Sequence, residues 1–180
     1  MSLFLLKELP RYECLQEAAA DIPGADASIC EVYMNLLHTG EVIARAEAVF
    51  LSRFGLNQAR MVLLFILDAS PTGSMRSSEI AEKSSVSRAT ITGILDTLEK
   101  AGLVARASDP NDRRASNVKI TPAGEKLLAK VRPEFMRWST ETVGTLSSPE
   151  RKQLVALLRK TRQSFEEPSR GSASRNGCHD

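Results

Sequence analysis

The stretch from Ser77 to Gly124, SSEIAEKSSVSRATITGILDTLEKAGLVARASDPNDRRASNVKITPAG, decides the fold. Its most legible part is a helix starting near Ser87, whose hydroxyl can accept from an orphan N–H of the first turn. Val86 before that cap and Ile91 four residues after it can close as a hydrophobic staple, and Gly102 supplies a left-handed stop. Between these limits Ile91, Leu95 and Leu98 recur at three and four residues with Ile94 beside them, so one stripe faces a core and the opposite face is free. Upstream, SSEIAEKSSV reads as a shorter helix with Ile80 and Ala81 inward and Glu79, Glu82 and Lys83 outward. Ser77 or Ser78 can cap it, or it can start at Arg76, and the Ser84–Ser85 pair makes the turn into the next helix.

Downstream, Leu103 to Arg106 and Asn117 to Ile120 suit strands, with Val118 and Ile120 on one face and Lys119 on the other. ASDPNDRRAS between them is turn chemistry that carries Arg113 and Arg114 at the tip of a ribbon. Helix, turn, helix and basic ribbon in that order suit a grip on duplex DNA. The free face of the second helix offers Ser87, Arg88, Ala89, Thr90 and Thr92 near its N-terminal end, where base contacts in the major groove are made. Arginine there can donate two hydrogen bonds to guanine, and threonine can bond a base edge or offer its methyl to thymine. An arginine at the ribbon tip can enter a narrow minor groove while its neighbour meets phosphate. Asp112 would repel DNA if unpaired, so it reads as an orienter for one of the two tip arginines or for Arg106. The candidate DNA-binding set is therefore Ser87, Arg88, Ala89, Thr90, Thr92, Asp112, Arg113, Arg114 and Lys119. Each part alone has a plainer reading, an αα-hairpin in a helical bundle or a solvated charged turn; the combination favours DNA.

The run LVARASDPNDRRASNVKITPAGEKLL resembles the wing and following helix of the MarR family of winged helix-turn-helix regulators, and SSVSRATITGILDTLEKAGLV resembles that family's recognition helix. Asp112, Arg113 and Arg114 match the family's Asp-x-Arg wing sequence, and Thr121, Pro122, Ala123 and Gly124 match its Thr-x-x-Gly lead into the next helix. The resemblance is strongest from about Met75 to Leu128 and extends over Ser28 to Phe165. It implies a homodimer that binds palindromic promoter DNA and represses transcription until a small molecule or an oxidant releases it. One departure is Gly93, on the outward side of the recognition helix, which weakens the helix by up to ~1 kcal/mol relative to alanine and removes one possible base contact.

The surrounding sequence is helical. Ser28 and Glu31 form a candidate capping box, and Ile29, Val32, Tyr33, Leu36, Leu37, Ile43, Val49 and Phe50 keep a helical period to about Gly55, with Gly40 as a place to bend. A new helix is predicted to start at Asn57, with Leu56 and Met61 as staple partners. Its core MVLLFIL is apolar all round and is expected to be buried on every side. Thr121 and Pro122 start another helix, which Pro133 is expected to kink, and Ser148 with Pro149 repeats the signal for a last helix striped by Leu154, Leu157, Leu158, Thr161 and Phe165. That stripe is too narrow to fill a core by itself.

The fold class is thus mostly α with a small antiparallel β-wing, a winged helix-turn-helix flanked by N- and C-terminal dimerisation helices. The expected divisions are an N-terminal extension over 1–27 and one MarR-like domain over 28–165. Within that domain 28–55 and 122–165 are the dimerisation helices and 57–121 the DNA-binding region, followed by a disordered tail over 166–180. In the extension Tyr12 to Ala20 can make a helix that extends the interface or docks on it.

A length of 180 residues suits one domain with one core. The net charge of only +2 means that DNA affinity must come from local placement of Arg88, Arg113, Arg114 and Lys119. There is no apolar run long enough to span a membrane, and the opening LFLL is too short for a signal peptide, so a cytoplasmic location is expected. Cys14, Cys30 and Cys178 are scattered, which suits reduced thiols. Cys30 near the start of the first long helix keeps open a thiol-based redox-sensing alternative, although no positively charged residue stands next to it in the sequence. His38 and His179 lie at opposite ends without clustered ligands, so no metal is expected. No GxSxG, P-loop, GxGxxG or HExxH occurs, so neither a cofactor nor catalysis is expected. A winged helix that binds protein instead of DNA is the other alternative. For a small aromatic or phenolic effector, candidate pocket walls are Tyr33, Leu37, His38, Met61, Phe65 and Trp138, chosen for position and bulk, with ordinary core packing as the competing role.

Overall fold

Asp26 sets the start of the first long helix. Its carboxylate accepts from both the backbone N–H (2.8 Å) and the hydroxyl (2.6 Å) of Ser28. The helix therefore begins at Ala27, and the expected cap at Ser28 is corrected, because a carboxylate two residues upstream turns that serine into a donor. These two bonds, the hydroxyl first, hold the Asp26 carboxyl below its ordinary pKa. In the computed structural model, which describes residues 9–84, 86–108 and 116–166, this helix is the second of seven. The helix α1 spans Tyr12–Ala19 and packs against α2, Ala27–Ser52, which runs through Gly40 without interruption.

Helix α3, Gln58–Asp68, is capped as expected by Asn57, whose side chain accepts from the Arg60 N–H at 2.9 Å. Met61, Leu63, Leu64 and Leu67 are buried, packed by α2, α4, α5 and the sheet. The expectation of burial on every side fails on one edge. There Val62 is 38% exposed and Phe65 and Ile66 are half-buried.

A strand not foreseen in the sequence, β1 at Ser74–Arg76, joins β2, Val104–Ser108, and β3, Ser116–Ile120, in an antiparallel sheet of order β1-β3-β2. Met75 and Arg106 flank Val118 in the ladder, and Ser74 and Ala105 flank Lys119. Val118 and Ile120 are buried and Lys119 between them is exposed, as the alternation predicts. Helix α4, Ser77–Ser84, leaves β1 directly, with the Arg76 N–H bonded to the Glu79 carboxylate at 3.2 Å. Helix α5 spans Arg88–Lys100, and Gly102 behind it has φ 70°, the left-handed stop expected there.

Thr121 then joins the end of the sheet to the end of α5. Its N–H donates to Leu103 O (3.1 Å), its hydroxyl donates to Gly102 O (2.7 Å), and the same oxygen accepts from the Gly124 N–H (3.1 Å). Gly124 is the close-approach point of this joint: a Cβ there would lie 2.3 Å from Leu103 O and 2.7 Å from Ile120 Cγ1. Helix α6, Pro122–Val143, continues past Pro133 as one element.

Residues through Val131 form one compact unit, and those from Arg132 on form a second. In the second, the Phe135 and Trp138 rings pack 5.8 Å apart on α6, and α7 spans Ser148–Glu166. The cap of α7 is one residue earlier than expected. Glu150 accepts from both the N–H (2.7 Å) and hydroxyl (2.6 Å) of Ser147, and the first helical bond runs to Ser147 O, so Ser147 and not Ser148 takes the capping place. No residue of α7 is buried within the chain. Among the described residues no helix is long and apolar enough to cross a membrane. The tail beyond Glu166 lies outside the described residues.

Candidate nucleic-acid interface

The two faces of α5 divide as its spacing dictates. Ile91, Leu95 and Leu98 are each 1% exposed and Ile94 is half-buried, while Ser87, Arg88, Ala89, Thr90, Thr92 and Gly93 are all exposed. Ser87 caps the helix by accepting from the Thr90 N–H at 3.2 Å, and the two hydroxyls bond to each other at 2.8 Å, which fixes the side chains of the first turn. The Thr92 hydroxyl donates to Arg88 O at 3.0 Å, leaving its methyl as the group without a hydrogen-bonding role. At Gly93 the space where a Cβ would stand is open, so the outward strip is bare at its middle.

The sheet brings Lys119 to the surface next to Ala105 and Ser74. Asp112, Arg113 and Arg114 lie outside the described residues. Arg106, expected as one possible partner of Asp112, has its partners on α5. Its Nη1 donates to Asp96 Oδ1 at 2.6 Å, its Nη2 to Thr92 O at 3.1 Å and its backbone N–H to Glu99 Oε1 at 3.2 Å. Sequence reading missed this contact. The only signal for it is an arginine on the strand after the helix, with carboxylates seven and ten residues upstream.

The six residues considered for an effector occupy several elements. Tyr33 and Leu37 are exposed and His38 half-buried on α2, Met61 is buried and Phe65 half-buried on α3, and Trp138 belongs to the second unit. A shallow pocket of about 310 Å³ lies behind α5, lined by Gln58, Ala59, Val62, Leu63, Ser84, Val86, Ile91 and Ile94, and shares none of those six. Val86 and Ile91, the expected staple pair, both line it. Cys14 and Cys30 are exposed. Among the described residues no group of three or more His, Cys, Asp or Glu could hold a metal ion.

A capped helix with one bare polar face, a short helix before it and a three-stranded sheet whose strands lie on both sides of the pair in the chain define a winged helix-turn-helix protein. The MarR family model matches residues 56–116. The chain is 33% identical over 116 residues to the uncharacterized HTH-type transcriptional regulator YwaE of Bacillus subtilis, covering 64% of this chain and 67% of that protein. It is 26% identical over 153 residues to the transcriptional repressor YetL of the same organism, covering 85% of this chain and 92% of that one. Among solved structures it is similar to Sco3205, a MarR family transcriptional regulator from Streptomyces coelicolor in complex with DNA, with TM-score 0.73, 22% identity and coverage of 83% and 94%. The chain belongs to the MarR family.

Proposed function

We propose that this protein is a sequence-specific double-stranded DNA-binding transcriptional regulator of the cytoplasm, a homodimeric repressor without catalytic activity. The observation that carries the reading is the division of α5: its apolar stripe is buried to 1% exposure while Ser87, Arg88, Ala89, Thr90 and Thr92 stand exposed in the order a major groove can accept. Arg88 is the candidate guanine contact and the Thr92 methyl a candidate thymine contact. Arg113 and Arg114 are assigned to the minor groove and phosphates, with Asp112 orienting them and Lys119 adding charge at the root of the wing. Repression is supported by the similarity to YetL, a transcriptional repressor, and DNA as the partner by the similarity to Sco3205, solved in complex with DNA.

The homodimer is supported by the apolar residues left uncovered on both units, among them Ile29 and Val32 on α2 and Leu157 and Phe165 on α7, between 54% and 73% exposed. Two-fold symmetry would pair two α5 helices with successive major grooves of a palindromic operator, about 34 Å apart. A small aromatic or phenolic effector would release DNA if it bound the DNA-incompetent arrangement more tightly, with Tyr33, Leu37, His38, Met61 and Phe65 as its candidate contacts.

The test is selection of operator from random duplexes with the purified protein, followed by a salt series on the selected sequence. The expected result is a palindromic site whose affinity falls steeply with salt and drops by about 1–3 kcal/mol for Arg88→Ala with loss of preference at one base pair. Failure to enrich any duplex at low ionic strength would refute the assignment.

A further inference from the structure

We infer that Arg106 is a positioning residue for DNA reading, a clamp that holds the recognition helix and the wing in one register and does not itself touch DNA. The inference rests on the DNA-binding assignment above and adds a residue outside the candidate contact set.

Arg106 is the third residue of β2 and stands opposite Val118 in the ladder, so the two side chains share the face of the sheet turned toward the core. Val118 is fully buried, which anchors that point of the wing. From there the guanidinium crosses to α5, donating to Asp96 Oδ1 (2.6 Å) and Thr92 O (3.1 Å), with Glu99 Oε2 3.7 Å away and the Arg106 backbone N–H on Glu99 Oε1 (3.2 Å). Thr92, Asp96 and Glu99 are four and three residues apart and follow one edge of the helix, the edge that starts at Arg88. One side chain therefore grips the edge that reads DNA along two of its turns.

Charge argues the same way. Asp96 and Glu99 are 49% and 42% exposed, and on a helix lying in a groove they would face phosphate. Arg106 offsets one of these two charges. The cluster keeps a net charge of −1, from one guanidinium and two carboxylates, and does not suit a phosphate ligand. The wing and α5 are also linked at the wing's base, where Leu103 N–H meets Leu98 O at 2.9 Å and Thr121 bonds Leu103 O and Gly102 O. Without the clamp, the angle between the major-groove reader and the minor-groove finger is set at the base of the wing, with no side chain holding the reading edge of α5 farther out. Specific binding, which needs both in place together, suffers; nonspecific attraction to phosphate does not.

The test compares the full-length wild type with Arg106→Ala, Arg106→Lys and Asp96→Asn on the selected operator and on an unrelated duplex across a salt series, with melting curves measured without DNA. Operator affinity is expected to fall roughly tenfold for Arg106→Ala and for Asp96→Asn. The unrelated duplex and the salt slope should stay unchanged, and the double variant should be no worse than the worse single one. Asp96→Asn is the discriminating variant, because removing a negative charge beside DNA strengthens binding on electrostatic grounds alone. Arg106→Lys is expected to rescue only in part, since a point charge cannot serve the carboxylate and the carbonyl with a planar fork, and it carries the same test if Arg106→Ala does not fold. Equal weakening on both duplexes with a salt slope smaller by about one would show a direct phosphate contact and overturn the inference. Unchanged or tighter operator binding by Asp96→Asn would also overturn it. A wild type that binds no duplex would remove the DNA-binding assignment beneath it.

Discussion

Helices α5 and α7 both carry an apolar stripe at helical spacing, but only α5 buries its stripe within the chain. On α5, Ile91, Leu95 and Leu98 are each 1% exposed; on α7, Leu154, Leu157, Leu158 and Phe165 are 39% to 73% exposed. What differs is the opposing surface. Helix α5 has α3, α4 and β2 against it, so the winged region closes its own core. Helix α7 has no buried residue at all, and full cover for each large apolar side chain is worth about 1.5–3 kcal/mol. The winged region is self-sufficient, whereas the stripe of α7 calls for cover, which the proposed homodimer would supply.

The strongest test of that self-sufficiency is Gly124→Ala. The added methyl would meet Leu103 O at 2.3 Å, a backbone atom that cannot swing aside, so a loss of about 3 kcal/mol or more in urea unfolding is expected. A loss below about 0.5 kcal/mol would mean that the joint between wing and α6 is looser than described. Next comes Leu157→Ala. Its side chain is already 54% exposed, so it should hardly change the unfolding of the isolated chain but should raise the dimer dissociation constant by roughly tenfold in sedimentation equilibrium. Unaltered self-association would separate α7 from the interface.

Acid gives the smallest effect and splits the two units by sign. Burial raises the Glu47 carboxyl above its ordinary pKa of 4.5, so the folded form takes up a proton more readily than the unfolded one. The penalty for holding that charge is present above the raised pKa and fades as pH falls through it. Glu47→Gln is therefore expected to raise the melting temperature slightly at pH 7 and to lose its advantage below pH 4.5. Glu150 behaves oppositely. The Ser147 hydroxyl and then its N–H hold this carboxyl below 4.5, so its support for the start of α7 is present above that value and is lost as pH falls through the lowered one. Amide exchange against pH would show acid freeing the start of α7 first; a Glu47→Gln advantage that does not vary with pH would contradict the burial argument.

Most features set by neighbours in the chain were legible in the sequence, two helix caps excepted, and features set by contacts across it were not. Ser87, Gly102 and Asn57 mark helix ends through local hydrogen bonds or a positive φ, and the structure has each where it was expected. Strand β1 was invisible because Ser74, Met75 and Arg76 are too few to show a period, and the strand exists by virtue of backbone pairing with β3, more than forty residues later. The cap of α2 was assigned two residues late because Asp26 and Ser28 are both capping residues, and which one accepts depends on which has only lone pairs to offer. Val62 departs from the expected burial because composition cannot tell which edge of an apolar helix is only partly covered. The outward set on α5 followed from its period, whereas the Arg106 contact depends on how β2 crosses that helix.

The most direct test of the central claim is a base-protection footprint of the purified protein on its selected operator. Two protected major-groove segments centred about 34 Å apart on one face of the duplex, with the outer minor grooves covered by the wings, are the expected result. Protection of a single segment, or none at low ionic strength, would contradict the claim that two copies of α5 read DNA together.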